Sequence, residues 1–139
     1  MTNTPSPVLS GELLAGLAGI VGKEHLRTDD ECRTFYSTDV FRQADVLAAA
    51  VVSPGSVAEL QEVMRFCARH QTPSVVRGGG ASYTNAYLPV RPGTLLLDMG
   101  RLTGIDINAE DMYVTVEPGV TWAQLYAALA PRGLRTPMW

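Results

Sequence analysis

The chain has 139 residues, 11 basic against 14 acidic, and a formal net charge of −3. With 46% hydrophobic and 18% charged residues it has the composition of a folded domain rather than a disordered segment. No basic run is present to meet a phosphate backbone, so nucleic acid is excluded as the expected partner. Two cysteines, Cys32 and Cys67, make neither a disulfide framework nor a metal site by spacing, and no metal is expected.

Residues 1–7 carry no lysine or arginine, and the first basic residue is Lys23, which does not resemble the start of a secretory signal. The apolar stretch from Val8 to Val21 is broken by Ser10, Glu12 and several glycines, so it is too interrupted to span a bilayer. A cytoplasmic protein in a reducing compartment is the expectation. Ser10 caps a predicted helix to about Val21, with Leu13, Leu14, Leu17 and Ile20 on one face and Gly22 as its stop. A second short helix is expected from Asp30 to about Tyr36. Leu47 to Val52 is an unbroken apolar run ended by Ser53-Pro54-Gly55, which predicts a strand buried on both faces.

Ser56 to Glu59 has the pattern of a capping box, and the helix behind it places Val57, Leu60, Val63, Met64 and Cys67 on one stripe, ending near His70. Ser74 to Arg77 then reads as a strand parallel to the first, by the strand–helix–strand order. Thr94 to Asp98 is a third strand. Gly104 to Ile107 and Tyr113 to Val116 form a pair of short strands. A second capping box, Thr121 to Gln124, opens a helix presenting Trp122, Leu125, Tyr126 and Leu129 and ending at Pro131 to Gly133. The apolar tail from Leu134 to Trp139 either folds back on this core or belongs to something longer. The fold class is α+β: a small parallel β-α-β unit followed by the start of a mixed or antiparallel sheet with flanking helices.

The segment Val75-Val76-Arg77-Gly78-Gly79-Gly80-Ala81-Ser82-Tyr83-Thr84-Asn85 carries the chemistry. A β-branched run stops at an arginine and opens into three glycines and small polar residues. Successive backbone N–H groups aimed into one concavity make an anion nest. A mobile surface turn is the bland alternative. Two phosphate-binding patterns fail on spacing. No Gly-Lys pair follows Gly80, as a Walker loop needs, and Tyr83 stands where a dinucleotide fingerprint needs its third glycine.

A longer ordered set matches instead. Val51-Val52-Ser53-Pro54, the capped helix from Ser56 to His70, Val75 to Gly80, Leu95 to Asp98, Thr115 to Val120 and Arg132-Gly133-Leu134 occur in sequence. In this the chain resembles the first part of the FAD-binding domain of the vanillyl-alcohol oxidase (PCMH) type of flavoproteins. The resemblance runs from about Tyr36 to the C-terminus, which divides the chain into an N-terminal helical lead-in (1–35) and an FAD-binding domain (36–139) that the family continues further. It implies an FAD-dependent oxidoreductase moving a hydride from a small hydroxy acid, alcohol or aldehyde to the flavin. It also implies that catalytic groups come from a C-terminal substrate domain absent here, so the chain alone is expected to be inactive.

By that resemblance Gly78, Gly79, Gly80, Ala81 and Ser82 hold the FAD pyrophosphate. Ser82, Thr84 and Asn85 add side-chain donors, with Tyr83 among them in the loop. Pro118, Gly119 and Val120 stand where the family approaches the flavin. Some branches attach the flavin through a histidine at the place of Ala81; alanine cannot, so FAD is expected to be held non-covalently at this site. Arg77 can pair with phosphate or with a carboxylate such as Asp98, the structural pair being favoured. His25 and His70 read as surface or helix-end residues, and Asp39 and Asp45 as solvated loop carboxylates. Two further readings stay open: a non-catalytic flavin- or nucleotide-binding subunit completed by a partner chain, and a structural module whose glycine loop is a hinge.

Overall fold

A computed structural model describes residues 9–137. The architecture is α+β. In chain order the elements are α1 (Gly11–Val21), a 3-10 turn at Lys23–His25, β1 (Leu26–Arg27), α2 (Asp30–Tyr36), β2 (Ala50–Val52) and α3 (Val57–Arg69). Then follow β3 (Ser74–Arg77), β4 (Leu95–Asp98), β5 (Ile105–Asn108), β6 (Tyr113–Val116), α4 (Trp122–Leu129) and a 3-10 turn at Ala130–Arg132.

One sheet has the order β1-β2-β4-β3, and β5 and β6 form a separate antiparallel pair. β2 and β3 are parallel to each other as the sequence implied, but β4 lies between them and pairs with both. The edge strand β1, antiparallel to β2 at Leu26↔Val52, has no signal in the sequence because it is only two residues long. The strand read over Leu47 to Val52 is confined to its last three residues. Upstream the backbone bonds elsewhere: Ala48 N–H donates to Ser37 Oγ at 2.9 Å, and Arg33 Nε donates to the Ala48 carbonyl at 2.6 Å.

Side-chain alternation along β2 and β4 splits the core in two. Ala50, Val52, Leu95 and Leu97 face α1 and α3, where Leu17, Val21, Val63, Phe66 and Cys67 are buried. Val51 and Leu96 face the other side, against Cys32, Ala48, Tyr87 and Leu88. Residues 9–35 are thus tied into the same sheet and core as the rest.

The buried face of α3 is rotated from the expected stripe. Val57 and Met64 are exposed, and Phe66 replaces them. At about 100° per residue, Leu60, Phe66 and Cys67 all lie within about 60° of Val63, whereas Met64 and Val57 lie about 100° or more away. The first capping box is also offset. Ser56 Oγ accepts from Glu59 N–H at 3.1 Å, but the Glu59 carboxylate reaches the Gly55 N–H at 2.7 Å rather than that of Ser56. The Thr121–Gln124 box closes fully, with both reciprocal bonds made. Of the stripe read on α4, Leu125 and Leu129 are buried and Trp122 is exposed. The end of the apolar tail, at Trp139, lies outside the described residues.

Candidate functional site

The three parallel strands end on one edge of the sheet, the edge at which open α/β sheets gather ligands. Ser53 follows β2, Asp98 closes β4, and Arg77 closes β3. The Asp98 carboxylate ties this edge to α2: it accepts from Tyr36 Oη at 2.9 Å, Ser53 Oγ at 3.1 Å and the Gly100 N–H at 3.1 Å. Burial, with this bond to Asp98, pushes the Tyr36 phenol up to about 12, so it remains a donor.

The loop after β3 is pinned rather than loose. Tyr87, 4% exposed, shares its hydroxyl proton between the Gly80 carbonyl at 2.9 Å and the Thr38 carbonyl at 3.1 Å. Val40 N–H donates to the Ser82 carbonyl at 3.2 Å. Asp39 is no solvated carboxylate; it is 7% exposed and gathers three backbone N–H groups. Its Oδ1 accepts from Phe41 and Arg42 at 2.8 Å each, and its Oδ2 accepts from Asn85 at 3.1 Å. These donors, Arg42 foremost, hold the Asp39 carboxyl below its ordinary value. Asn85, held by that bond, takes a left-handed backbone with φ of 58°.

Pinning through carbonyls leaves donors free. Among the described residues, none of the backbone N–H groups of Gly78, Gly79, Gly80, Ala81, Ser82 and Tyr83 has a protein acceptor. Further along, the Thr84 N–H is taken by Ser82 Oγ at 3.2 Å and the Asn85 N–H by Asp39. A Cβ added at Gly79 would meet nothing within 4 Å, so the middle of the loop faces open space. Six consecutive unpaired amides on a fixed loop can compensate a doubly charged anion without a lysine.

Pro118 is brought against this loop: a Cβ on Gly78 would lie 3.2 Å from the Pro118 carbonyl oxygen. Gly119 is sealed beneath, with its N–H donating to the Leu102 carbonyl at 2.8 Å. Val120 N–H closes a turn onto the Glu117 carbonyl at 3.1 Å. The two expected segments therefore meet at Gly78 and Pro118.

Arg77 departs from expectation. No ion pair with Asp98 forms, although the two residues are register partners, because Asp98 is turned to Tyr36 and Ser53. The guanidinium instead lies over the rings of Tyr36 at 4.9 Å, Phe35 at 5.3 Å and Tyr87 at 5.5 Å. Its Nε is buried without a hydrogen-bond partner among the described residues. Asp39, Tyr36 and Tyr87 are the site residues that sequence reasoning missed. Asp39 offered a signal, an acidic residue two positions before Phe41 in a helix-to-strand connection, which is the spacing of an Asx turn. Tyr36 and Tyr87 act across 62 and 49 positions of chain, which no local pattern reports.

Among the described residues no helix is long and apolar enough to cross a membrane, and no group of three or more His, Cys, Asp or Glu is placed to hold a metal.

The parallel-edged α+β unit carries a loop of unpaired backbone amides at its strand ends, and comparison with known proteins gives its family. Residues 48–138 match the FAD binding domain family, and the chain belongs to it. It is 34% identical over 124 residues to 1'-carboxy-chondrochloren decarboxylase of Chondromyces crocatus, covering 88% of this chain and 23% of that protein. It is 28% identical over 121 residues to the glycolate oxidase subunit GlcD of Bacillus subtilis, covering 87% and 26%. A crystal structure of p-cresol methylhydroxylase with bound substrate superposes with a TM-score of 0.78 at 25% identity, over 94% of this chain and 27% of that one. The chain thus spans about a quarter of the length of the proteins it matches.

Proposed function

We propose that this chain is the diphosphate-holding first part of an FAD-linked oxidoreductase. The observation that carries the reading is the run of six unpaired amides from Gly78 to Tyr83 on a loop pinned by Tyr87, Val40 and Asp39. FAD, when bound, supplies the hydride acceptor, and the protein's part is to hold and orient it. In this reading the loop amides hold the pyrophosphate and the Pro118–Val120 segment approaches the rest of the cofactor. The cofactor is held non-covalently here, because Ala81 has no nucleophile to attach it.

The substrate class proposed is a small hydroxy acid, alcohol or aldehyde, in line with the glycolate oxidase subunit among the similar proteins. Groups that act on the substrate carbon come from polypeptide beyond these residues, whether a continuation or a partner chain. Residues 36–139 are the cofactor domain in this proposal, with residues 1–35 as a lead-in, of which 9–35 pack on it. Three separate pins on the loop argue against a hinge, which would need its backbone carbonyls free to swing.

The test is a titration of the ¹⁵N-labelled chain with FAD and with riboflavin, followed by amide chemical shifts. FAD is expected to move the resonances of residues 78–83, and riboflavin, which lacks the diphosphate, to leave them in place. Loop amides that ignore FAD, or respond equally to riboflavin, would sink the proposal.

A further inference from the structure

We infer that Tyr87 and Arg77 are a positioning pair that sets the direction in which the glycine-loop amides face; the inference rests on the diphosphate reading above. The argument starts from one peptide plane. Tyr87 is buried in the core between α2 and the sheet, so its hydroxyl is a fixed point. That hydroxyl holds the Gly80 carbonyl inward at 2.9 Å. The C=O and N–H of one trans peptide point in opposite directions. Holding the Gly80 carbonyl inward therefore turns the Ala81 N–H outward, away from the Tyr87 hydroxyl. The Ser82 carbonyl, held by Val40 N–H at 3.2 Å, turns the Tyr83 N–H outward in the same way.

Arg77 supplies the floor. Gly80 has φ of 76°, and a Cβ there would lie 2.5 Å from Arg77 Cζ, so the loop rests directly on the guanidinium. Three aromatic rings hold that guanidinium flat. With its Nε unpartnered and buried, the side chain is fixed by stacking and packing rather than by a carboxylate. Arg77 is also the only charged residue between Ser74 and Val90. The arrangement therefore places an unneutralised positive charge beneath the Gly80 end of the six unpaired amides. Tyr87 joins the two parts, since its ring covers the guanidinium while its hydroxyl turns the peptide.

The experiment compares wild type, Tyr87→Phe and Arg77→Lys, each ¹⁵N-labelled and titrated with ADP and with adenosine, with thermal unfolding measured alongside. Tyr87→Phe keeps the ring and its burial and removes only the hydroxyl. It is expected to weaken ADP binding about tenfold, the net value of one hydrogen bond to the bound geometry, and to abolish the ADP-induced shift of Ala81. Arg77→Lys keeps the charge but not the flat plate, and is expected to weaken ADP about fivefold or more. Adenosine, lacking phosphate, should bind all three alike. A purely structural role would lower the unfolding temperature and leave the ADP-to-adenosine ratio where the wild type has it. That result overturns the inference while leaving the FAD proposal standing. A wild-type chain with no response to ADP overturns both.

Discussion

Substituting Gly119 by alanine tests the packing of the 117–120 turn against the Met99–Leu102 turn that follows β4. An added Cβ would lie 2.6 Å from the Leu102 carbonyl oxygen and 2.9 Å from the Gly100 carbonyl carbon, and nearer still to the Met99 carbonyl oxygen. All three are backbone atoms, which cannot rotate away as a side chain can. Forcing a methyl group into such a site costs about 1–3 kcal/mol. Displacing the segment also weakens the 2.8 Å bond from Gly119 N–H to Leu102, worth about 1 kcal/mol net. The expected loss is therefore about 2–4 kcal/mol, a large share of a typical domain's total. It should appear as a fall of about 6–12 °C in Tm. Gly79→Ala is the matched control, since its Cβ meets nothing within 4 Å and should change stability by less than about 0.5 kcal/mol. Thermal and urea unfolding followed by far-UV circular dichroism measure both. Equal stability of Gly119→Ala and Gly79→Ala would refute the packing argument.

Other outcomes follow from the polar anchors. Asp39 has a folded-state pKa below its ordinary value of 3.8, chiefly because it accepts from Arg42 N–H. A depressed carboxylate contributes stability that is present above the unfolded value and is lost as pH falls through the folded one. Asp39→Asn should thus lower the urea midpoint at pH 7 and erase part of the wild type's loss of stability below about pH 4. A pH profile parallel to the wild type would refute the role. Tyr36 is pushed the other way, to about 12, first by burial and then by Asp98. Its contribution is present below the unfolded value of about 10 and drains as pH rises through the folded one. Absorbance titration should show a tyrosine step at about 12, and Tyr36→Phe should remove that step while lowering stability by about 1–2 kcal/mol.

What the sequence discloses is what is local. α1, α2, the hairpin strands and the Thr121–Gln124 cap follow from periodicity and side-chain caps acting within four residues. The glycine loop was legible for the same reason, as a run of residues whose backbone is the functional group. What escaped is set by tertiary contact. β4 inserts between β2 and β3, and its Leu95 to Leu97 are fully buried there on both faces, a placement set by strand pairing across the loop rather than by chain order. The sequence pairs Arg77 with Asp98, as strand-end arginines often hold loops, but Tyr36 and Ser53 take that carboxylate from distant positions. Asp39 carries a local Asx-turn signal to Phe41 and Arg42, but its burial depends on the Asn85 N–H, 46 positions away, which no local pattern reports.

The cradle and the surface around it differ in completeness, and this yields a prediction about affinity. The amides proposed to hold the diphosphate all come from residues 78–83, and their loop is pinned by Tyr87 and by contacts to Thr38, Asp39 and Val40. The hairpin and α4, by contrast, leave Met112, Tyr113, Val116 and Trp122 exposed, and β5–β6 pairs with no other strand. A lone hairpin gives little rigid wall against which to stack a flat ring. A ligand pocket usually encloses most of its ligand, and here only the diphosphate end has its donors in place. FAD and ADP should accordingly bind this chain within about threefold of each other, a difference of less than 1 kcal/mol. Isothermal titration of the two ligands under the same salt decides it. If FAD bound a hundredfold more tightly than ADP, the isoalloxazine would already have its wall within these residues, and the division between a finished cradle and an open flavin side would be wrong.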